Sequence, residues 1–284
     1  MPSFCGHSMR RLPEMPEGKG FADRYVRYGV LLLLAITAAG LSGCAGARIA
    51  FPGATYDSPG TALRACAASV PNGTITATAR IVISYNGERY PLKAAMMMRR
   101  PADLRLESIP LLGPPDLLLS IERGELRVFF PGNGTYYVGP ATRWNISRFL
   151  HLPLPAAEAV AILMGRPPEE WEGADNLQGE LDEGYYRVDR YLAGKKICSL
   201  WIDPVQDLLV RVRAFTEGEE IAYTADFTDH TRVGGGFLPH RLTLSSAGAS
   251  LDVHYTEMDL RDDDAASFAL PVPEGITPIL LEAK

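Results

Sequence analysis

Along most of the chain, apolar residues occupy every second position and polar residues lie between them. This is the pattern of strands that have one face buried and the other exposed to solvent. The clearest example is Leu104-Arg105-Leu106-Glu107. The Asn86-Gly87 pair is the strongest short signal for a hairpin between two such strands. The alternation and the turn residues predict strands over 74–85, 90–99, 103–108, 117–122, 125–130, 135–139, 185–191, 196–202, 208–215, 221–228, 237–245 and 249–258.

Helical signals interrupt the alternation in three places. Ser58 followed by Pro59 pairs an N-cap residue with proline at the first helical position, and this helix should end near residues 71–73. Residues 144–150 form a short candidate helix. Residues 155–165 form a clearer one, with proline at its start and glycine at its end, and Val160 and Met164 lie on one of its faces.

These elements predict a mainly β (α+β) fold of about 11–12 antiparallel strands and about three helices. An open sheet that wide tends to curl, so we expect an unclosed antiparallel β half-barrel whose concave face is covered by the helices. No long linker separates the two groups of strands, and residues 58–284 are therefore expected to form one domain.

Alternation also selects the side chains that would line the concave face. Met96 and Met98 fall on this face. Methionine suits surfaces that accommodate varied apolar shapes, but ordinary core packing is the favoured explanation, because the alternation buries both side chains in either case. The predicted lining residues are Leu92, Met96, Met98, Leu104, Leu106, Val128, Phe130, Val160 and Met164.

The beginning of the chain has the layout of a secretory signal peptide. Arg24 and Arg27 precede an apolar run over residues 30–36, and small residues follow up to Leu41-Ser42-Gly43-Cys44. This tetrad resembles the lipobox of bacterial lipoproteins. The alternative is a retained transmembrane helix, but the uncharged stretch over residues 28–44 is at the short limit for spanning a bilayer.

The lipobox resemblance implies two segments before the domain. Residues 1–43, which include an over-long start, would be removed; Cys44 would be acylated, and residues 44–57 would form a lipidated tether. Ala45 follows the cysteine, and the best-known sorting rule sends such lipoproteins to the outer membrane. The expected location is therefore the periplasmic face of the outer membrane, with the inner membrane left open.

The charge of the chain argues against one class of partner, and its cysteines leave a disulfide open. The first 43 residues hold five Lys/Arg and three Asp/Glu, so the remaining 241 residues carry 23 basic and 31 acidic side chains. An acidic chain without a basic run is a poor candidate for binding nucleic acid. Two cysteines, Cys66 and Cys198, remain after Cys44; they would either pair in an oxidising compartment or pack as small buried side chains.

The order of elements resembles the LolA/LolB superfamily of periplasmic lipoprotein carriers, and several local features resemble LolB. Leu104-Arg105-Leu106-Glu107 leads into Pro110-Leu111-Leu112-Gly113, which is similar to that family's strand and Pro-Leu-Gly loop. The segment from Leu152 to Pro155, and Gly165-Arg166-Pro167, resemble the family's helical interlude. The resemblance implies an apolar groove for acyl chains or lipoprotein cargo and a periplasmic carrier protein as partner.

The same resemblance places the transfer residue of LolB at Leu112, beside Leu111 and near Ile109. Leucines in a loop that is rich in proline would either contact a partner or fold back as a plug at the rim of the sheet.

No residues form a catalytic or metal-binding pattern in the sequence, so no enzyme activity, cofactor or metal is expected. The predicted function is that of an anchored lipoprotein which binds acylated cargo; the alternative is a structural or assembly lipoprotein of the cell envelope that uses the same scaffold without cargo.

Overall fold

Fourteen strands form one curved, unclosed sheet, as a computed structural model of residues 56–151, 154–168, 176–261 and 268–283 shows. Two antiparallel meanders, β1–β6 and β7–β13, are joined by antiparallel pairing of β1 with β13. The strands are β1 Thr74–Tyr85, β2 Glu88–Arg99, β3 Asp103–Ser108, β4 Leu118–Glu122, β5 Glu125–Phe130, β6 Thr135–Pro140, β7 Asn176–Asp182, β8 Tyr185–Leu192, β9 Lys195–Asp203, β10 Leu208–Phe215, β11 Ile221–Val233, β12 Gly236–Ser246, β13 Ala249–Arg261 and β14 Ile279–Leu280. The predicted half-barrel is confirmed.

Three helices cover the concave face within the described residues: α1 Pro59–Ser69, α2 Arg143–Leu150 and α3 Ala156–Leu163. The Ser58 side chain accepts a hydrogen bond of 3.2 Å from the Thr61 backbone N–H, which confirms the predicted N-cap. Helix α1 contacts β7, β8, β10 and β12, whereas α3 contacts β2 and β3. The helices therefore cover both halves of the concave face. No helix of the described residues has the length and hydropathy needed to cross a bilayer.

Cross-strand register places the alternate apolar residues on the concave face. Met96 lies opposite Ala77 on one side and Leu106 on the other, and Met98 lies opposite Leu104. All of these side chains are buried. Their neighbours Arg105 and Glu107 point to the outer face and form an ion pair there. The period of two therefore sets which side of each strand joins the core.

Two strands were not predicted. β7 forms an edge of the sheet with a mostly exposed, polar sequence, so it lacks the alternation that marks a half-buried strand. β14 pairs in parallel with β6 at the other edge, through Ile279 opposite Tyr137. The backbone of Leu281 approaches Gly139 so closely that a Cβ there would lie 2.6 Å from the Leu281 carbonyl oxygen. A glycine at position 139 permits this approach.

The C-terminal segment reaches that edge across the outer face. The Tyr136 hydroxyl donates to the Leu270 carbonyl (2.5 Å), the Ser120 hydroxyl donates to the Phe268 carbonyl, and the Arg99 guanidinium lies 4.7 Å above the Phe268 ring. Phe268 and Leu270 are buried by these contacts. The segment thus covers part of the outer face of β2–β6.

Strand direction defines two rims of the sheet. The upper rim contains the connections at 86–87, 109–117, 131–134, 193–194, 216–220 and 247–248. The lower rim contains those at 100–102, 123–124, 183–184, 204–207 and 234–235.

Candidate functional site

The candidate site is a small apolar cavity between the concave face and helices α2 and α3. Its volume is about 50 Å³, whereas ligand pockets usually measure about 300–1,000 Å³. Its lining side chains are apolar throughout: Ile81, Ile83, Leu92, Met96, Leu104, Leu106, Leu117, Ile146, Leu150, Leu154, Ala159, Ile162, Leu163, Leu242, Leu244, Leu251 and Val253. An acyl chain therefore fits only if a covering helix moves away from the sheet.

Two buried tyrosines hold α3 against the sheet. From β13, the Tyr255 hydroxyl donates a 2.8 Å hydrogen bond to the Leu163 carbonyl at the C-terminal end of the helix. From β11, the Tyr223 hydroxyl donates to the Glu158 carboxylate in the first turn of the helix. The rest of α3 is also largely buried. Lifting α3 would break both bonds and take from the two buried tyrosine hydroxyls the acceptors they have in this structure, which is costly.

Burial and charge keep these hydroxyls protonated. Burial raises the pKa of Tyr223 well above its usual value of 10, and the negative charge of Glu158 adds to the shift. Burial alone raises the pKa of Tyr255. Both tyrosines therefore stay hydrogen-bond donors at any physiological pH. Neither contact could be predicted from local patterns, because the bonded residues are 65 and 92 positions apart.

The predicted lining residues divide into two groups. Leu92, Met96, Leu104 and Leu106 line the cavity. Met98, Val128, Val160 and Met164 are buried in the surrounding core and do not border the cavity, and Phe130 is partly buried against that core. The alternation identified the apolar face, but the position of the helices decides which of its side chains border open space.

The loop between β3 and β4 exposes its leucines fully. The exposed fraction is 102% for Leu111 and 92% for Leu112, against 38% for Ile109. They lie at the upper rim and do not fold back as a plug, which decides between the two placements left open by the sequence.

Hydrogen bonds close the base of this loop. The buried Ser108 hydroxyl accepts bonds from the backbone N–H groups of Asp116 (2.8 Å) and Leu117 (3.0 Å), and Ile109 N–H donates to the Lys93 carbonyl (2.7 Å). Gly113 adopts a φ of +90°, which favours glycine. The loop therefore holds its leucines in solvent on a fixed base.

The two cysteines of the domain are free and buried. Burial raises the pKa of the Cys66 thiol to about 12 and that of Cys198 further. Cys66 lies on α1 and Cys198 on β9. Of the two alternatives left open for this pair, the structure shows small buried side chains and no disulfide.

A second depression within the described residues does not resemble an acyl site. A depression of about 530 Å³ lies on the outer face, but charged side chains of both signs border it, among them Arg105, Glu257 and Arg261. Among the described residues, no three His, Cys, Asp or Glu side chains are grouped as metal ligands. Cys44 and Ala45 lie outside the described residues.

Solved structures share this fold at low sequence identity. A LolA superfamily protein from Nitrosomonas europaea, 12% identical, superposes with a TM-score of 0.51 over 73% of this chain and 95% of its own. A DUF1329 family protein from Desulfovibrio piger, 13% identical, gives a TM-score of 0.53 over 74% and 93%. These superpositions show that the chain shares the fold of both proteins. No family model matches the chain, and no curated protein matches its sequence.

The comparison therefore confirms the fold that the resemblance implied. At identities of 12–13% the likeness concerns the fold alone. Any similarity of binding has to be argued from the cavity, its covering helices and the loop.

Filling the cavity should stabilise the protein. Ala159 borders the cavity from α3, so Ala159→Val would place two methyl groups in it. At about 24 cal/mol per Å³ of cavity, filling up to 50 Å³ is worth about 1 kcal/mol. We expect the free energy of unfolding, measured in urea, to rise by up to that amount relative to Ala157→Val.

The comparison with Ala157→Val is a matched one, because Ala157 is on the same helix but does not border this cavity. Both changes carry the same cost of a β-branched residue in a helix. Equal stabilities of the two variants would contradict the placement of the cavity.

Proposed function

We propose that this protein is a lipid-anchored lipoprotein of the bacterial envelope that binds acyl chains, or acylated lipoprotein cargo, between the concave face of its sheet and helices α2 and α3. The anchor would be acylated Cys44, and Ala45 would direct the protein to the periplasmic face of the outer membrane. A periplasmic carrier protein would deliver the cargo, in the manner of LolB.

The wholly apolar lining of the cavity carries this proposal. Seventeen side chains from strands, helices and the segment between α2 and α3 border it, and none is charged. A hydrocarbon chain would replace contacts among these side chains without removing any charge from water, so entry costs little beyond moving the cover.

The cover has to move because the cavity holds only about 50 Å³. Helix α3 is the element to displace, since it supplies Ala159, Ile162 and Leu163 to the lining and has hydrogen bonds to the sheet at both ends. The apparent affinity for an acyl chain then equals the affinity of the open state multiplied by the fraction of molecules in which α3 is displaced.

Tyr255→Phe tests this view. The variant loses the bond to the Leu163 carbonyl and leaves that group buried without its partner, so stability should fall by about 1–2 kcal/mol. Because the closed state is then less favoured, a fluorescent 16-carbon fatty acid should bind several-fold more tightly. The measurement is a titration of the probe into soluble Cys44→Ser protein that carries the second change.

Tyr136→Phe is the matched control. Tyr136 is also buried and also donates to a main-chain carbonyl, but on the outer face. It should lose similar stability and bind the probe with unchanged affinity. Equal gains in affinity in both variants, or no binding by the parent protein, would contradict the proposed site.

The structural alternative is supported by the small size of the cavity, because a closed, well-packed concave face needs no cargo. It predicts no acyl probe binding in either tyrosine variant, and purification from cells in a fixed ratio with another envelope protein.

A further inference from the structure

The exposure of the lining side chains shows where the apolar cavity comes closest to solvent. Of the seventeen side chains, fourteen are buried. The three that are only partly buried are Leu92 on β2, Leu117 at the end of the β3–β4 loop and Leu150 at the end of α2. The Ser108 N–H donates to the Leu117 carbonyl (2.9 Å), and Ser108 lies opposite Ala94, two positions from Leu92. Leu92 and Leu117 are therefore close together, and the cavity has its mouth beside them.

A notch in the sheet lies at the same place. Strand β2 pairs with β1 along nearly its whole length. It pairs with β3 only from Ala94 to Arg99, because β3 ends at Ser108. Among the described residues, no strand lies beside positions 88–93 on that side. The notch between positions 88–93 and the β3–β4 loop therefore gives the cavity an opening past Leu92.

Helix α2 closes this mouth from the concave side, and it is firmly attached near its N-terminal end. The Asn145 side-chain amide donates to the carbonyls of Pro140 and Glu282, at 2.9 Å in each case. The Phe149 ring packs on the Tyr137 ring of β6 at 5.3 Å. These contacts hold the helix to the edge of the sheet that β6 and the C-terminal segment form.

At the other end, α2 is joined to the β1–β2 hairpin by one stacked pair of rings. His151 caps the helix with a left-handed backbone (φ +53°), and its ring lies 4.7 Å from the Tyr85 ring at an angle of 15°. Tyr85 is the last residue of β1, beside the notch. Within the described residues, neither ring has a hydrogen bond. A stacked pair is a weaker attachment than two hydrogen bonds and a packed ring, so this end of α2 detaches more readily.

We propose that acyl chains enter and leave the cavity through this notch, and that Tyr85 and His151 form a latch that keeps it closed. This inference rests on the proposed binding of acyl chains. Displacement of α3 makes room for the chain, whereas release of the latch gives it access.

The lining of the cavity also sets the direction in which a chain enters. None of the lining side chains is polar, so a carboxylate or another polar head group would lose its contacts with water inside and gain no partner. The methyl end therefore enters first, and the head group stays in solvent at the notch. The exposed Leu111 and Leu112 belong to the loop on one side of this notch, next to the part of the cargo that remains outside.

The latch should control the rates of ligand exchange and leave the affinity unchanged, since the rings are stacked in both the empty and the filled closed states. In Tyr85→Ala, a fluorescent 16-carbon fatty acid should bind and dissociate several-fold faster, with the same Kd. Tyr85→Phe keeps the stack and should match the parent. The measurement is stopped-flow fluorescence on the soluble Cys44→Ser protein that carries each change.

Tyr185→Ala is the matched control. Tyr185 is 38% exposed, against 40% for Tyr85, but it lies on β8 and does not border the cavity. Both rates should stay the same in this variant. Unchanged rates in Tyr85→Ala, or a Kd that rises in proportion to its dissociation rate, would overturn the inference.

A covalent latch tests the opposite change. In a Tyr85→Cys, His151→Cys double variant of the same Cys44→Ser protein, a short bis-maleimide should join the two positions, and the buried thiols of Cys66 and Cys198 should not react. Probe bound before cross-linking should then remain trapped. A parent protein that binds no probe defeats the proposed function and the inference together. A parent that binds the probe, with exchange equally fast after cross-linking, defeats the inference alone.

Discussion

Leu106→Asp should unfold much of the protein, whereas Leu112→Asp should leave its stability unchanged, although the two leucines are six positions apart. Leu106 is buried and borders the apolar cavity, so the variant would bury a carboxylate among hydrocarbon side chains. We expect a loss of about 4 kcal/mol or more, a large part of a typical stability of about 5–15 kcal/mol. Thermal unfolding followed by circular dichroism should show Tm falling by more than about 10 °C.

Leu112→Asp should reduce the stability much less than Leu106→Asp, because the Leu112 side chain is 92% exposed. Changes at such positions usually alter stability by less than about 0.5 kcal/mol, or one to two degrees in Tm. If the loop is a contact site, the same variant should lose cargo transfer. Leu280→Asp is the control, since Leu280 is 80% exposed at the edge of the sheet and should keep full activity.

The stability and the activity of the Leu112→Asp variant together distinguish between the possible roles of the loop. A large fall in Tm for Leu112→Asp would mean that the leucine supports the fold. Unchanged transfer by a stable Leu112→Asp protein would remove the loop from the function and favour the structural alternative.

The second large effect is expected from Cys44→Ser. Acylation needs the thiol, so the variant should be recovered either as soluble protein or with residues 1–43 still attached. Each buried CH₂ of an acyl chain contributes about 0.8 kcal/mol to membrane binding, and several chains on one cysteine make release slow. Nearly all of the protein should therefore move out of the membrane fraction or fail to be processed.

Cell fractionation and the intact mass of the purified protein measure this result. Cys66→Ser is the matched control, because Cys66 is buried in α1 and should not affect acylation. Recovery of a fully acylated, membrane-bound Cys44→Ser protein would contradict the lipobox interpretation. Ala45→Asp should keep its acyl chains but move to the inner membrane if the sorting rule applies.

Local patterns in the sequence predicted most of the sheet, because a half-buried strand needs its apolar residues on one side. Leu104 and Leu106 alternate with Arg105 and Glu107, and this alternation alone gives β3 and its buried face. Ser58 and Pro59 likewise mark the start of α1 through local backbone chemistry. β7 and β14 were missed because they lie at the edges of the sheet, where pairing needs no apolar alternation.

The sequence by itself determined the half-barrel, the apolar character of its concave face and the presence of a proline-rich leucine loop, since each follows from residues that are close along the chain. Only the tertiary structure decided how that face is closed. The bonds from Tyr223 and Tyr255 to α3 join residues 65 and 92 positions apart. The exposure of Leu112 depends on how the Ser108 hydroxyl closes the base of the loop. Contacts of this kind leave no periodic signal, because they depend on where distant elements meet.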